Sequence, residues 1–213
     1  MATALTAQEI IALFELTVDD TTELSTAEEL ALLNRIYQIV CEDRPWEILK
    51  KEASGTLINT GYVTVPADFS YLVENRNYTN NAYSAELNAK PAGVLINGNK
   101  WLQIINWSDR RQYNNVDGYV YYDPALGRLV FTYAQPAGAT YSFDYKAVPD
   151  DLTLATSPIF PAQFHQMFAF KMATDDMATQ LFDKARSYAQ ENERTYMQYM
   201  HRLASWNASL QNY

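Results

Sequence analysis

Three pairs of adjacent carboxylates, Asp19-Asp20, Asp150-Asp151 and Asp175-Asp176, are the first residues whose type suggests acid–base chemistry. Two carboxylates cooperate only when both point at one substrate. Neighbours in sequence point in different directions on a helix or strand, so no pair is a two-carboxylate site by itself. Solvated loop or cap acids are their ordinary reading. The two histidines, His165 and His201, stand 36 positions apart, and neither has a second ligand at i+3 or i+4. Glu191 and Glu193 are also off ligand spacing from His201. Both histidines therefore read as surface or interface residues of a helix. Cys41 is the only cysteine, which excludes an intramolecular disulfide and a thiolate zinc site. It falls on an apolar stripe and reads as a small buried hydrophobe, not a nucleophile. The 7 glycines form neither a GxGxxG nor a GK[ST] phosphate cradle. No catalytic residue, metal or cofactor is implied, and an enzyme is not expected.

Contact chemistry is better represented. Arg110-Arg111 follows Trp107 and precedes Tyr113, in what reads as a loop. Arginines interleaved with aromatics can stack on bases, but two are too few to make a groove, and a salt bridge to a partner or another subunit is the better reading. Of the 16 tyrosines, 11 lie in residues 55–157. An outward Tyr on a strand offers a large amphipathic contact at low entropy cost, which suits interfaces and sugar binding. High strand propensity explains the same residues without function.

The balance of 16 basic and 25 acidic residues gives −9, a poor basis for wrapping nucleic acid. The charge is uneven: residues 1–54 sum to −7, residues 55–157 to −2 and residues 158–213 to zero. Apolar runs fall well short of a membrane span, and the start of the chain does not read as a signal peptide. Hydrophobic residues at 48% and charged residues at 19% are globular proportions.

The elements that must position these residues fall into three zones. In residues 1–54, Thr6-Ala-Gln-Glu9 and Ser25-Thr-Ala-Glu28 are capping boxes. The first precedes the apolar positions Ile10, Leu13, Phe14 and Val18. The second precedes Leu30, Leu33, Tyr37, Val40 and Cys41, and Pro45 ends that helix. In residues 55–157 the period changes to two. Val94-Leu-Ile96 and Trp101-Leu-Gln-Ile-Ile105 flank Asn97-Gly98 as a hairpin. The runs beginning at Tyr119, Leu129 and Tyr141 read as a β-meander, and the polar stretch 75–81 as a loop. In residues 158–213 helical spacing returns, as two helices with a break near residues 177–183 or as one long helix with a kink. The expected fold is α+β: a helical bundle from both chain ends with an inserted antiparallel β domain, either a small sandwich or a partly open barrel.

Four blocks in this order resemble the head–tail adaptor (connector) proteins of tailed bacteriophages. They are Ala31-Leu-Leu-Asn-Arg-Ile-Tyr-Gln-Ile-Val40 with Arg44-Pro-Trp46; Val63-Thr-Val-Pro-Ala-Asp-Phe69; Tyr121-Tyr-Asp-Pro-Ala-Leu-Gly-Arg-Leu-Val-Phe-Thr-Tyr133 with Tyr141-Ser-Phe-Asp-Tyr145 and Val148-Pro-Asp-Asp-Leu152; and Phe160-Pro-Ala-Gln-Phe164-His165. The resemblance implies a virion structural protein, made in the host cytoplasm. It would assemble as a ring, typically of twelve copies, between the portal protein and the tail proteins, with DNA passing through unbound. No catalytic residue comes with it. A β-sandwich carbohydrate-recognition module stacking sugars on Trp101, Trp107, Tyr119 and Tyr121 is the competing class. Three sets of residues are candidates for contact. Tyr196, Tyr199, Leu203, Trp206 and Tyr213 would dock on the portal, or else close the chain's own bundle. Asp19, Asp20 and Glu23 would line the channel. Arg110 and Arg111 would meet a partner.

Overall fold

The computed structural model describes residues 3–18, 24–73, 92–179 and 183–210. The chain is α+β and divides into two units, Met1–Ile48 with Pro149–Tyr213, and Leu49–Val148. The sheet unit thus begins and ends earlier than the expected 55–157. Strand formation starts at Lys50, inside a polar run with no apolar alternation to reveal it.

The helical unit contains α1 (Ala7–Val18), α2 (Thr26–Glu42), α3 (Gln166–Thr179) and α4 (Asp183–Leu210). Both expected capping boxes form. The Thr6 N–H donates to Glu9 Oε2 at 2.8 Å, and the Glu9 N–H donates back to Thr6 Oγ1 at 3.3 Å. Ser25 and Glu28 repeat the exchange at 2.8 and 3.4 Å. These bonds satisfy amides that the first helical turn leaves without partners. After α2, the Trp46 indole turns back and donates to the Val40 carbonyl at 2.6 Å, occupying one of the helix's orphan acceptors. Trp46 is fully buried against Phe160, which with Tyr37 and Phe168 forms an aromatic cluster at centroid separations of 5.4–6.3 Å. Edge-to-face contacts dominate, as ring quadrupoles favour. Cys41 is buried on the same face of α2.

Helix α3 packs against α1, α2 and α4. Its partners on α4 run backwards in sequence: Phe170 stacks on Tyr199, and Lys171 pairs with Glu193 at 3.1 Å. The two helices are therefore antiparallel, with the break where the lost periodicity puts it. His165 departs from expectation. It is 1% exposed, not a surface residue. Its Nε2–H donates to the Phe160 carbonyl at 2.7 Å, and Nδ1 accepts from the Leu5 N–H at 3.0 Å.

Among the described residues the sheet unit has eight strands: β1 (Lys50–Thr56), β2 (Tyr62–Thr64), β3 (Phe69–Leu72), β4 (Gly93–Ile96), β5 (Lys100–Ile104), β6 (Tyr119–Asp123), β7 (Arg128–Phe131) and β8 (Thr140–Ala147). They form one curled sheet in the order β1-β8-β4-β5-β6-β7-β2, with β3 also on β8. Two expectations are corrected here. The sheet is mixed and not purely antiparallel, because β5 and β6 are parallel, although its curled half-barrel form matches the partly open barrel of the two expected shapes and not the sandwich. The last three runs are not a meander: β6 and β7 form a hairpin, but β8 leaves them to pair with β1, β3 and β4. A parallel pair needs a long crossover, and residues 105–118 supply it through the 3-10 helix Trp107–Arg111.

The β4–β5 hairpin forms as its Asn-Gly turn predicts, with φ of 49° at Asn97 and 68° at Gly98. Gly93 is required by a close approach, since a Cβ there would sit 2.2 Å from the Leu102 carbonyl oxygen. Val94, Ile96, Leu102, Val120, Leu129 and Phe143 form the centre of the sheet's apolar core. The polar stretch 75–81 lies outside the described residues.

Candidate interaction surface

The sheet unit gathers its outward aromatics and two arginines around the crossover. In a 3-10 helix residues i and i+3 eclipse. That geometry lays the Arg110 guanidinium over the Trp107 ring, 3.8 Å from its centroid, while Arg110 Nη1 donates to the Trp107 carbonyl at 2.7 Å. Trp107 in turn meets Tyr121 edge-on at 5.4 Å, and Tyr113 packs on Tyr119 at 4.4 Å. The arginines thus sit on an ordered turn, not in a loop.

Two concavities flank this stack. One, of about 220 Å³, is lined by Arg110, Arg111, Asn114, Tyr121, Phe131 and Thr132. The other, of about 310 Å³, is mostly apolar, with Phe69, Tyr71, Ile104, Trp107, Tyr122 and Pro124 on its walls. The topology explains the second. Strands β3 and β4 occupy the same edge of β8, but only β4 has β5 on its far side. Strand β6 pairs with β5 at two positions and then continues with only β7 beside it, so the sheet splits between β3 and β6.

Electrostatics hold this unit's rim. Lys51 pairs with Asp68 at 2.7 Å, and Tyr145 Oη donates to Asp68 at 3.0 Å. The Lys51 bond holds the Asp68 carboxyl below its usual range, while burial and the Asp68 contact push the Tyr145 hydroxyl up to about 12. Lys100 likewise holds Asp117 low, at 2.7 Å. Among the described residues, Arg110 and Arg111 form no ion pair.

In the helical unit, Tyr196 and Leu203 are buried in the unit's own packing. Tyr199 donates to Gln166 Oε1 at 3.2 Å, and Trp206 lies 6.1 Å from the Phe164 ring. Burial disfavours the Lys171 ammonium, but Asp175 and Glu193 outweigh it and raise the group above its ordinary value. Asp19, Asp20, Glu23 and Tyr213 lie outside the described residues. His201 is exposed on α4, and the described residues contain no cluster of three metal-ligating side chains. Nor is any described helix long and apolar enough to cross a membrane.

Sequence reasoning missed the polar anchors of this unit. Asn34 exchanges two hydrogen bonds with the Leu152 backbone, at 3.0 and 2.6 Å, and Asn207 Oδ1 accepts from the Glu47 N–H at 2.7 Å. Their readable signal was position: each is polar yet borders an apolar stripe. Helix α2 also presents a shallow groove of about 460 Å³ lined by Ala27, Leu30, Ala31, Asn34, Arg35 and Gln38, with Asp151 at its rim.

No curated protein matches the chain. A family model described as SU10 adaptor protein matches residues 5–212, both units together. This match, almost end to end, agrees with the resemblance read from the four blocks: the chain belongs to the SU10 adaptor protein family.

Proposed function

We propose that the protein is the head–tail adaptor of a tailed phage: a ring of copies, twelve by the resemblance, seated between portal and tail. It seals the connector and leaves a channel through which DNA passes without specific binding. The match over residues 5–212 carries this reading, because it spans the helices of both chain ends as well as the sheet. In the proposal, those helices act as one bundle and the inserted sheet unit supplies lateral contacts.

Two site assignments belong to the proposal. Asp19, Asp20 and Glu23 flank the channel, where negative charge repels phosphates and lowers friction on the genome. The end of α4 and the residues beyond it dock on the portal in the manner of a helix in a groove. Leu203 is fully buried and Asn207 anchors Glu47, so removing residues 196–213 would disturb folding as well as docking. Truncation after Asn207 separates the two effects.

Mass measurement of the full chain, alone and with isolated portal rings, tests the reading. Many copies per portal ring are expected, and the chain shortened after Asn207 should remain folded yet bind weakly. One or two copies per ring would sink the ring assignment. Full binding by the shortened chain would remove the docking assignment alone.

A further inference from the structure

We infer that copies of this chain join through the Trp107–Arg110–Arg111 patch of one sheet unit and the C-terminal end of α2, at Ile39 and Glu42, in the next copy. The inference rests on the ring reading above and assigns its lateral contact.

Charge points to this occupant. The helical unit contains 7 basic and 17 acidic residues, or −10, whereas the sheet unit contains 9 and 8, or +1. Within the sheet unit most described lysines already have partners: Lys51 pairs with Asp68, Lys100 with Asp117, and Lys146 lies over the Tyr71 ring. Arg110 and Arg111 form no ion pair among the described residues, although Asp109 precedes them and makes a contact of 3.1 Å with the Ser108 hydroxyl. Arg110 is already ordered by its stack and its bond to the Trp107 carbonyl, so little side-chain entropy remains to be lost when a carboxylate arrives.

The end of α2 has the complementary features. Ile39 is 53% exposed and Glu42 is exposed at i+3, so an apolar knob and a carboxylate share one face. The last turn of α2 has no basic residue, and a carboxylate there opposes the negative end of the helix dipole. Arg44 neutralises Asp43 at 2.7 Å, but Glu42 has no ion pair among the described residues. A cation from outside relieves both the dipole and Glu42. The patch offers that cation beside the apolar split between β3 and β6, whose rim includes the half-exposed Trp107 and Tyr71. Ile39 fits the split and Glu42 meets the guanidiniums. Arg35, on the same helix toward its start, fixes the direction of approach, since the reversed arrangement would bring like charges together. The contact joins two different surfaces, so it repeats head to tail instead of stopping at a closed dimer, and it closes as a ring where the rotation between copies divides the full circle.

The test is a charge-reversal cycle on the full chain, with folding checked by circular dichroism and assembly read as copies per portal ring and as self-association at low salt. Arg110→Glu with Arg111→Glu is expected to weaken assembly by about tenfold or more, and Glu42→Lys by a similar factor. Combining all three should restore assembly to within about threefold of wild type. No loss in the single-surface variants overturns the contact, as does a combination no better than its weaker parent. Loss of binding to a short DNA duplex with assembly intact would assign the arginines to nucleic acid instead. If wild type itself gives one or two copies per ring, the ring reading fails with it; if wild type assembles and the variants do too, only this contact fails.

Discussion

In the helical unit the decisive polar groups are buried or half-buried and bond across more than a hundred residues of sequence, whereas in the sheet unit they sit at turns and rims. Asn34 reaches Leu152, Asn207 reaches Glu47 and His165 reaches Leu5, each tying the first part of the chain to the last. The sheet unit needs no such ties, because its strands satisfy one another's backbone. Its polar contacts span shorter separations: Tyr145 reaches Asp68 across 77 positions and Lys100 reaches Gln135 across 35, both part-buried, and Asn97 Oδ1 accepts from the Thr140 N–H at 2.9 Å in the open. The difference follows from topology. A unit assembled from two distant segments must fix their register with side chains, and a buried unsatisfied donor penalises every wrong register.

The largest expected effect comes from emptying each core. Phe168 is fully buried in the helical unit and Phe143 in the sheet unit. Phe168→Ala and Phe143→Ala should each cost about 3–5 kcal/mol. Denaturant unfolding monitored by amide hydrogen exchange resolved to segments of each unit should show each variant shifting mainly the signal of its own unit. Equal shifts of all signals by both variants would mean that the two units unfold as one, and the contrast between them would lose its energetic meaning.

A smaller effect distinguishes the anchors. Asn34→Ala strands both the N–H and the carbonyl of Leu152, at a cost of about 2 kcal/mol. Asn97→Gly keeps the positive φ of the turn and loses two exposed bonds from Thr140, one of them long at 3.5 Å, at a cost of about 0.5 kcal/mol. Thermal unfolding of the two variants beside wild type measures the ratio. Equal destabilisation would break the distinction between buried anchors and exposed turn bonds.

These residues also show what the sequence can and cannot express. The capping boxes at Thr6 and Ser25, the Asn97-Gly98 turn and the break between α3 and α4 were legible because each depends on residues within a few positions. Strand β1 was not, since its residues are mostly polar and its partner β8 lies about ninety positions away. The same distance hid the central place of β8, whereas the parallel β5–β6 pair, only 16 positions apart, was hidden because its crossover shows no period of its own. A stripe such as Tyr196, Tyr199, Leu203 and Trp206 declares an apolar face, but periodicity does not say what covers it. Of the arginine patch, the composition was legible and the stack was not, because the eclipsed spacing of Trp107 and Arg110 exists only once the crossover forms a 3-10 turn.

The smallest effect concerns single acids. Burial raises Glu29 in the helical unit and Asp144 in the sheet unit, whereas hydrogen bonds lower Glu9 and Glu28 in the first and Asp68 and Asp117 in the second; Glu29 and Asp68 serve as one of each kind. Glu29 on α2 is 3% exposed, and its carboxyl is raised above the usual range, first by burial and then by the neighbouring Glu15. In the sheet unit, Asp68 and Asp117 are lowered by Lys51 and Lys100. The signs are opposite. An acid raised in the folded state binds more protons there than in the unfolded chain, so stability falls as pH rises from the unfolded value through the folded one. An acid lowered in the folded state contributes stability above the unfolded value, and that contribution is lost as pH falls through the folded one. Glu29→Gln should therefore stabilise the helical unit at neutral pH, by no more than about 1 kcal/mol, with the gain vanishing in acid where Glu29 is already protonated. Asp68→Asn should do the reverse, destabilising the sheet unit at neutral pH and converging on wild type in acid. Unfolding midpoints of both variants from pH 3 to pH 8 check the pair. A Glu29→Gln gain that persists unchanged at the acid end would show that the substitution acts through packing and not through the buried charge.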